Sequence, residues 1–529
     1  MSTELDAIVE GYLDLRSRMD PVAATQLGRH DLDGLYADWS ATAVREFTAA
    51  VRSYAVSLEE VDALSLQDEI DRTAALHSAR HDLLVLERER PFGRDPSYYL
   101  THASWGILLL LSRNAQDAPA VAAALLARLR AMPEFLTRAI AALDAPVATF
   151  ISTARAMVPG FLELLSTDLD DPAIDVSSLD RAGLDEARRA AADALSSFDR
   201  VLALRAETAG DDFAIGRDLF DRKLHTAHMM ADTADVVDRY GARLGGEAIA
   251  TLERIAEEIR PGTTWRELIE ELRRADPVEE TLAGGFASAL DAARRATAAA
   301  GLVTLPLGDL QVTTTPRFLR PLIPFAAYLG PGPYDESQQG TMFVTAASEG
   351  IAAPLASAEL ASIAVHEGFP GHHLQQLTAN RLERSARREL TTPAAFEGWA
   401  HYCETLMQES GFIATAEQRL FAAWNLLWRA LRIRLDVGLH TRKMTRMEAE
   451  RVLVDELGMD AERATAEVRR YCAMPTYQLC YAIGRRDILA LREDYRHARG
   501  DQCSLKGFHD DLLRYGALPI ALARWGMGL

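Results

Sequence analysis

Three histidines and one glutamate lie within the eight residues from His366 to His373. The chain has only 13 histidines in 529 residues, so core packing does not require this concentration. His366 and Glu367, followed closely by His372, form a variant of the H-E-x-x-H motif of zinc hydrolases. In that motif two imidazoles on one helical face hold the metal, and the glutamate beside the first polarises its water. We therefore interpret this stretch as a candidate zinc site.

The spacing of the two histidines differs from that of the standard motif. Residues four apart on an α-helix are turned by about 40° and lie about 6 Å apart, so both reach one metal. His366 and His372 are six residues apart, which on a straight helix means about 240° and 9 Å. Pro370 interrupts the helix because its ring clashes with the carbonyl of His366, and Gly371 tolerates dihedrals closed to other residues. This predicts a two-residue bulge that returns His372 to the metal, with His373 as the alternative ligand.

Further polar residues that could lie near a metal occur between residues 396 and 407. Glu397 and Glu404 are seven residues apart, or two helical turns, so both lie on one helical face, and His401 shares it. Acidic residues on the inward face of an otherwise apolar helix are costly unless they are paired or bound to metal. The stretch therefore supplies candidates for a third ligand and for residues that contact the ligands or the substrate.

Three segments resemble one bacterial family. Residues 366–375 (HEGFPGHHLQ), 397–404 (EGWAHYCE) and 508–520 (FHDDLLRYGALPI) are similar to signatures of the DUF885 family. That family is a set of largely uncharacterised, mostly helical proteins considered relatives of gluzincin peptidases. The resemblance covers nearly the whole chain but is specific only after about Gln311. More distantly, the Gly-His pair resembles that of the thimet oligopeptidase and M32 carboxypeptidase families.

The resemblance implies a set of site residues. His366, His372 and Glu397 correspond to the metal ligands, and Glu367 corresponds to the general base. The implied cofactor is one Zn²⁺ per chain. Relative to the more distant families, residues 369 and 370 are an insertion. His373 therefore remains the alternative to His372 as the second ligand.

The charge balance bears on partners and location. With 57 basic and 77 acidic residues, the net charge of −20 disfavours nucleic acid or an anionic membrane as a partner. The first ten residues include acidic residues where a signal peptide would have basic ones. Four cysteines without a CxxC pair suit a reducing compartment. We therefore expect a cytoplasmic protein with no nucleic-acid or membrane partner; nothing indicates its oligomeric state.

The apolar pattern predicts a mostly α protein with a small β-sheet before the metal-binding helix, and the DUF885 resemblance implies a large gluzincin-like helical body. We expect residues 1–303 to form a helical region and residues 304–529 a metallopeptidase-like catalytic region, together one continuous body. One amphipathic stripe comprises Leu184, Ala187, Ala191, Leu195, Phe198 and Leu202. Another helix is predicted to begin at the capping box Thr264–Glu267. The acidic stretch 166–178 is the clearest linker candidate.

Two β-branched runs, at residues 310–315 and 340–346, are bounded by proline and glycine and predict the strands of the sheet. In gluzincins the edge strand of such a sheet pairs with the extended backbone of the substrate. The alternative is a hairpin that only covers the core.

Four residues further along the chain are additional candidates. Asp436 and His440 are four apart and could pair, either behind a metal ligand or as an ordinary pair on a helix surface. Pro475 can begin a helix, which would put Tyr477 and Tyr481 on one face. A tyrosine hydroxyl there could stabilise the oxyanion formed during peptide hydrolysis. Tyr481 is preferred because it lies nearer to Gly484, which permits close approach of backbone or ligand.

Together these residues predict a zinc-dependent hydrolase that cleaves an amide bond in short peptides or peptide-like small molecules. Glu367 would take a proton from the metal-activated water and pass it to the leaving amine. Two other classes remain open: a metal-dependent enzyme of small-molecule metabolism, and a non-catalytic metal-binding protein. The sequence does not distinguish an exopeptidase from an endopeptidase.

Overall fold

The structure, a computed structural model, describes residues 3–112, 118–166, 181–275, 282–316, 320, 323, 326–345 and 355–529. The described chain is mostly α-helical, which confirms the predicted fold class. The helices before the sheet are α1 (Thr3–Met19), α2 (Pro21–Leu27), α3 (Ala41–Glu60), α4 (Leu66–Leu84), α5 (Pro91–Arg94), α6 (Pro96–Ser112), α7 (Ala118–Ala142), α8 (Ala148–Ser166), α9 (Arg181–Ala206), α10 (Arg217–His228), α11 (Ala234–Ile259), α12 (Trp265–Ala275) and α13 (Leu282–Ala299).

The sheet and the helices that follow it build the rest of the chain. The strands are β1 (Leu310–Thr314), β2 (Ala326–Leu329) and β3 (Gly340–Val344). The later helices are α14 (Leu360–Glu367), α15 (His372–Ala379), α16 (Ser385–Glu389), α17 (Pro393–Glu409), α18 (Ala416–His440), α19 (Arg446–Asp455), α20 (Ala461–Ala473), α21 (Cys480–Arg499), α22 (Leu505–Leu513) and α23 (Ile520–Gly526). Short 3₁₀ turns cover His30–Leu32, Ser357–Glu359 and Gly500–Gln502, and a π-helical turn covers Val85–Glu89.

The N-terminal helices follow the sequence pattern closely. All six residues of the stripe predicted on α9 are buried, so its apolar face packs into the core as periodicity requires. α12 begins with the predicted capping box, in which the amide of Thr264 donates to Glu267 at 2.9 Å and the Glu267 amide donates back at 3.3 Å. The linker candidate 166–178 falls almost entirely outside the described residues.

The sheet has three strands in the order β1-β3-β2. β1 runs parallel to β3, with Leu310 opposite Gly340, so the two predicted strands are not a hairpin. β2 pairs antiparallel with β3, with Ala326 opposite Val344. The sequence did not predict β2 because it is only four residues long and begins with two alanines, which are depleted in strands. Its C-terminal end leads towards the candidate site.

The core continues across the predicted boundary at residue 303. The largest apolar cluster joins Tyr12 and Phe161 from the first half to Trp399 and Phe508 from the second. A second cluster surrounds α18, whose apolar stripe is buried against α11, α19 and α20. The division into 1–303 and 304–529 stays a prediction.

α17 and α21 cross at two glycines, and this crossing holds the site together. A Cβ atom on Gly484 would lie 2.0 Å from the carbonyl oxygen of Ala394 and 2.7 Å from Cα of Gly398. The bare backbones therefore approach too closely for any other residue at this point. The close approach anticipated at Gly484 is thus that of another helix backbone, which brings residues near the start of α21 beside those of α17.

Candidate metal centre

The chain breaks between the two histidines of the motif. α14 ends at Glu367 and α15 begins at His372, so two short helices replace the predicted bulge within one helix. The Phe369–Pro370 peptide bond between them is cis. The ring of Pro370 excludes a continuing helix, as the sequence indicates, but the interruption is four residues long. The imidazole rings of His366 and His372 consequently lie with their centroids 4.8 Å apart.

Close packing fixes this break in place. The amide of Gly371 donates to the carbonyl of Val365 at 3.0 Å. A Cβ atom on Gly371 would lie 2.0 Å from the carbonyl oxygen of His366. Glycine is therefore required here by this close contact and not by its φ of −73°. From α17, the indole N–H of the buried Trp399 donates to the carbonyl of Pro370 at 2.9 Å. The next helix thus holds the turn that orients both histidines.

His366, His372 and Glu397 form the one group among the described residues that could hold a metal, with ligand atoms all within 4.8 Å of one another. Oε2 of Glu397 lies 3.6 Å from Nε2 of His366 and 3.4 Å from Nε2 of His372. These separations are long for N–H···O hydrogen bonds, which measure about 2.7–3.2 Å. They match a tetrahedral zinc site, because ligand atoms about 2.0–2.1 Å from the metal are about 3.4 Å from one another. Two imidazoles and one carboxylate also suit Zn²⁺ chemically and leave a fourth position open.

His373, the alternative ligand, lies on the other side of α15. It is fully buried, and its Nδ1 is 2.9 Å from the hydroxyl of Tyr328 on β2. Burial lowers the pKa of His373 to about 4. Its ring therefore faces the sheet, away from the group formed by His366 and His372.

Glu404 stands behind the first histidine. Its Oε1 accepts a hydrogen bond from Nδ1 of His366 at 2.8 Å, which leaves Nε2 of that ring facing the centre of the site. Such carboxylate–histidine pairs fix the tautomer and orientation of metal-binding imidazoles. Burial opposes charge on both groups, but the nearby carboxylates of Glu397 and Glu404 raise the pKa of His366 to about 10. The bond from His366 and the charge of Arg429 lower the pKa of Glu404 to about 2.

The neighbouring imidazoles also shift the pKa of Glu397, the third candidate ligand. Burial would raise the pKa of Glu397, but the nearby imidazoles of His366 and His372 hold it well below its usual range. The hydroxyl of Tyr477 donates to Oε1 of Glu397 at 2.5 Å. One carboxylate oxygen is thus held by a tyrosine, and the other faces both imidazoles.

The segment before α21 is a turn, although a helix starting near Pro475 was predicted. Thr476 has φ of +66°, which interrupts helical geometry, and α21 begins only at Cys480. The buried carboxylate of Asp436 holds this turn by accepting the backbone amides of Thr476 and Gln478, both at 3.0 Å, and that of Leu479 at 3.3 Å. Asp436 therefore positions the turn that carries Tyr477.

The two tyrosines remain neighbours despite the turn, with ring centroids 6.1 Å apart. The ring of Tyr481 is nearly parallel to that of His366, at 6.3 Å. The Arg432 guanidinium lies 4.9 Å from the Tyr481 ring. Burial raises the pKa of Tyr481 well above 10, and its hydroxyl has no hydrogen-bond partner in the described part of the chain. Tyr481 therefore has a free hydroxyl beside the site, whereas the hydroxyl of Tyr477 is engaged by Glu397.

Two predicted residues are not part of the group of three candidate ligands. His401 is buried, and its Nδ1 has no partner among the residues described. His440 is fully buried, with Nε2 3.0 Å from the carbonyl oxygen of Tyr471 and 4.0 Å from Oδ1 of Asp436. Asp436 and His440 thus lie together in the protein interior, and they are connected to the site by the turn that carries Tyr477.

A cavity of about 250 Å³ opens onto the ligand group. Glu367 and Tyr481 line it together with His366, His372 and Glu397. Five further lining residues were not predicted: Gln26, Tyr328, Gly330, Gln376 and Phe396. Gln26 comes from α2, more than 300 residues away in sequence, and no local pattern marks it. Phe396 precedes Glu397 directly, and its ring stacks on His372 at 3.9 Å.

The model of one protein family matches residues 21–527 of the chain, and that family is described as a bacterial protein of unknown function, DUF885. The chain belongs to the DUF885 family. The resemblance carried by the three sequence segments is thereby confirmed over nearly the whole length. None of the curated proteins matches this DUF885 chain.

The solved structures that are similar to this DUF885 protein include the following two. One, described as a putative lipoprotein of unknown function from Shewanella oneidensis, is 20% identical, with a TM-score of 0.78 and 100% of both chains covered. The other, a putative lipoprotein from Colwellia psychrerythraea, is 18% identical, with a TM-score of 0.83, covering 99% of this chain and 98% of that one. Similarity at this level of identity shows a shared fold alone.

In the described part of this DUF885 chain, no helix combines the length and the apolar character needed to cross a membrane. The cytoplasmic location stays a prediction. The expected lack of nucleic-acid and membrane partners, which follows from the charge balance, also stays a prediction.

Proposed function

We propose that this DUF885 protein is a zinc-dependent hydrolase that cleaves an amide bond in short peptides or peptide-like small molecules. One observation carries the proposal. Two buried imidazoles lie at the distances from one buried carboxylate oxygen that a tetrahedral zinc site requires, and the carboxylate of Glu367 lines the same cavity. A structural metal site needs no further carboxylate beside its ligands, whereas hydrolysis needs a base.

Glu367 has the freedom that a general base requires. It follows His366 directly at the end of α14, and its side chain is only partly buried. No described residue donates a hydrogen bond to its carboxylate or forms an ion pair with it. The carboxylate can therefore accept a proton without first breaking a contact within the protein.

The roles of the chain's own residues follow from these positions. A Zn²⁺ ion held by His366, His372 and Glu397 would supply Lewis acidity and lower the pKa of a bound water. Glu367 accepts the proton of the attacking water and returns it to the leaving nitrogen. The hydroxyl of Tyr481 donates to the carbonyl oxygen as negative charge develops there, because no other acceptor occupies it.

Metal analysis together with a peptide screen tests this function. The zinc-loaded protein is assayed against unblocked dipeptides, blocked peptides and acyl-amino acids. We expect hydrolysis of at least one class and a loss of roughly 10²-fold or more in Glu367→Gln, the usual scale for a general base. Zinc content should be unchanged in this variant, since Glu367 is assigned no bond to the metal.

The matched control is Glu383→Gln, the same substitution at an exposed position of the same region, which should keep the wild-type rate. Zinc binding without hydrolysis of any of these substrates would reject the amide hydrolase. Wild-type turnover in Glu367→Gln would remove that residue from the mechanism.

A further inference from the structure

A second, larger cavity of about 540 Å³ adjoins the cavity at the metal site. The two share Gln26, Gln376 and Phe396 as lining residues. Phe396 also stacks on His372, so one ring borders both spaces. A substrate whose reacting group lies at the metal site can therefore extend past Phe396 into the larger cavity. Its volume is in the range of cavities that hold small organic ligands.

The wall of the larger cavity is mostly apolar and comes from the N-terminal helices. It includes Leu13, Met19, Trp39, Leu86, Phe92 and Tyr98. Such a wall favours an apolar side chain over a charged one, because a charged group would lose its hydration there without a partner.

The acidic residues of this cavity are already paired within the protein. Each carboxylate has a cationic or histidine partner: Asp20 with His102 at 3.1 Å, Asp82 with Arg16 at 3.2 Å, and Glu389 with Arg29 at 2.9 Å. Glu389 also accepts a hydrogen bond from the hydroxyl of Tyr334. These pairs offset the charges of the three acids, and one carboxylate oxygen, Oε2 of Glu389, is buried without a hydrogen-bond partner.

Arg388 differs from the other charged residues in the lining. It forms no ion pair with any described residue, and its Nε is buried without a hydrogen-bond partner. Its guanidinium lies 5.2 Å from the centroid of the Tyr334 ring, which restrains it. His81 also lines the cavity, but burial lowers its pKa to about 3, so it is neutral. Arg388 is thus an unpaired cation beside an apolar wall.

We propose that Arg388 binds the C-terminal carboxylate of the substrate, while the apolar wall accepts the side chain of that terminal residue. This inference rests on the proposed function, since it assumes that the amide bond to be cleaved lies at the metal site. A guanidinium recognises a carboxylate through two parallel N–H···O bonds, which gives both affinity and orientation. The substrates are then short peptides or acyl-amino acids with a free carboxylate next to an apolar side chain.

Three matched peptides test the carboxylate: acetyl-Ala-Ala-Leu as the free acid, the same peptide as its C-terminal amide, and acetyl-Ala-Ala-Asp amide. We expect the wild-type enzyme to cleave the free acid with a kcat/KM about 10-fold or more above that of either amide. Arg388→Gln should remove this preference by slowing only the free acid. Arg388→Lys should retain part of it, because a point charge replaces the bidentate fork.

The matched control is Arg189→Gln, which removes one exposed arginine on α9 and should keep the full preference. Equal rates for the free acid and its amide in the wild type, or a preference that persists in Arg388→Gln, would overturn the proposal. A preference for the aspartyl amide that depends on Arg388 would also overturn it, because the bound carboxylate would then belong to a side chain.

Calorimetric measurements of the binding of the same peptides distinguish a failure of this proposal from a failure of the proposed hydrolase activity. If none is cleaved, tighter binding of the free acid that is lost in Arg388→Gln rejects the hydrolase and leaves the carboxylate site standing. If the free acid and the amide bind equally to the wild type, the carboxylate site is rejected as well. Thermal unfolding of each Arg388 variant verifies that it is folded.

Discussion

Two isosteric substitutions, Tyr481→Phe and Tyr477→Phe, should have opposite consequences although the two rings are neighbours. The hydroxyl of Tyr481 has no hydrogen-bond partner in the described part of the chain, so its removal breaks no contact of the resting protein. The hydroxyl of Tyr477 donates to the buried carboxylate of Glu397 at 2.5 Å. One variant should therefore lose transition-state stabilisation, and the other should lose stability.

The magnitudes follow from these contacts. Removing one oxyanion donor costs about 10²–10³-fold in kcat, so Tyr481→Phe should slow turnover by roughly 10²-fold. A donor that acts only in the transition state affects kcat and kcat/KM equally, so KM should change little. A hydrogen bond to a charged group contributes about 1.5–3 kcal/mol, so Tyr477→Phe should destabilise the fold by that amount. It should also weaken zinc binding, because Glu397 loses the group that orients it.

Each variant serves as the control for the other. Steady-state kinetics on a cleaved peptide, thermal unfolding and zinc content are measured for both proteins. Wild-type turnover in Tyr481→Phe together with slow turnover in a fully zinc-loaded Tyr477→Phe would exchange the two roles. Wild-type turnover in both variants and in the double variant would refute the reasoning, since neither hydroxyl would then stabilise the reaction.

Two further predictions concern the architecture of the site. His372→Ala should lose zinc whereas His373→Ala should retain it, because only the first ring faces Glu397; metal analysis showing the reverse would make His373 the ligand. Gly484→Ala should destabilise the protein by about 1–3 kcal/mol, since its Cβ would lie 2.0 Å from the Ala394 carbonyl and force α17 and α21 apart. Its control is Gly246→Ala, at a helical position with no atom within 4 Å of the new Cβ, which should be neutral or stabilising in thermal unfolding. Equal melting temperatures of the two variants would contradict the close crossing of α17 and α21.

The sequence predicted those parts of the site that depend on local spacing. His366, Glu367 and His372 lie within seven residues, and Pro370 between them reveals that the helix must break. Glu397 and Glu404 share a helical face, which the structure turns towards His366. The broad class of fold was predictable for the same reason, because apolar periodicity is a local signal.

The remainder of the site depends on contacts between segments that are distant in sequence. Gln26 reaches the metal cavity from α2, and Arg388 reaches the adjoining cavity from a short helix with no motif. The Tyr477 turn was predicted as a helix because Pro475 permits one. The backbone bonds to Asp436, about 40 residues earlier, stabilise the turn instead. Such tertiary hydrogen bonds produce no periodic pattern of residues in the sequence.

Zinc-edge anomalous diffraction from crystals of the zinc-loaded protein tests the central claim most directly. The account predicts a single strong peak about 2.0–2.2 Å from Nε2 of His366, Nε2 of His372 and a carboxylate oxygen of Glu397. A peak beside His373, or none between these three residues in protein that contains one zinc per chain, would contradict it.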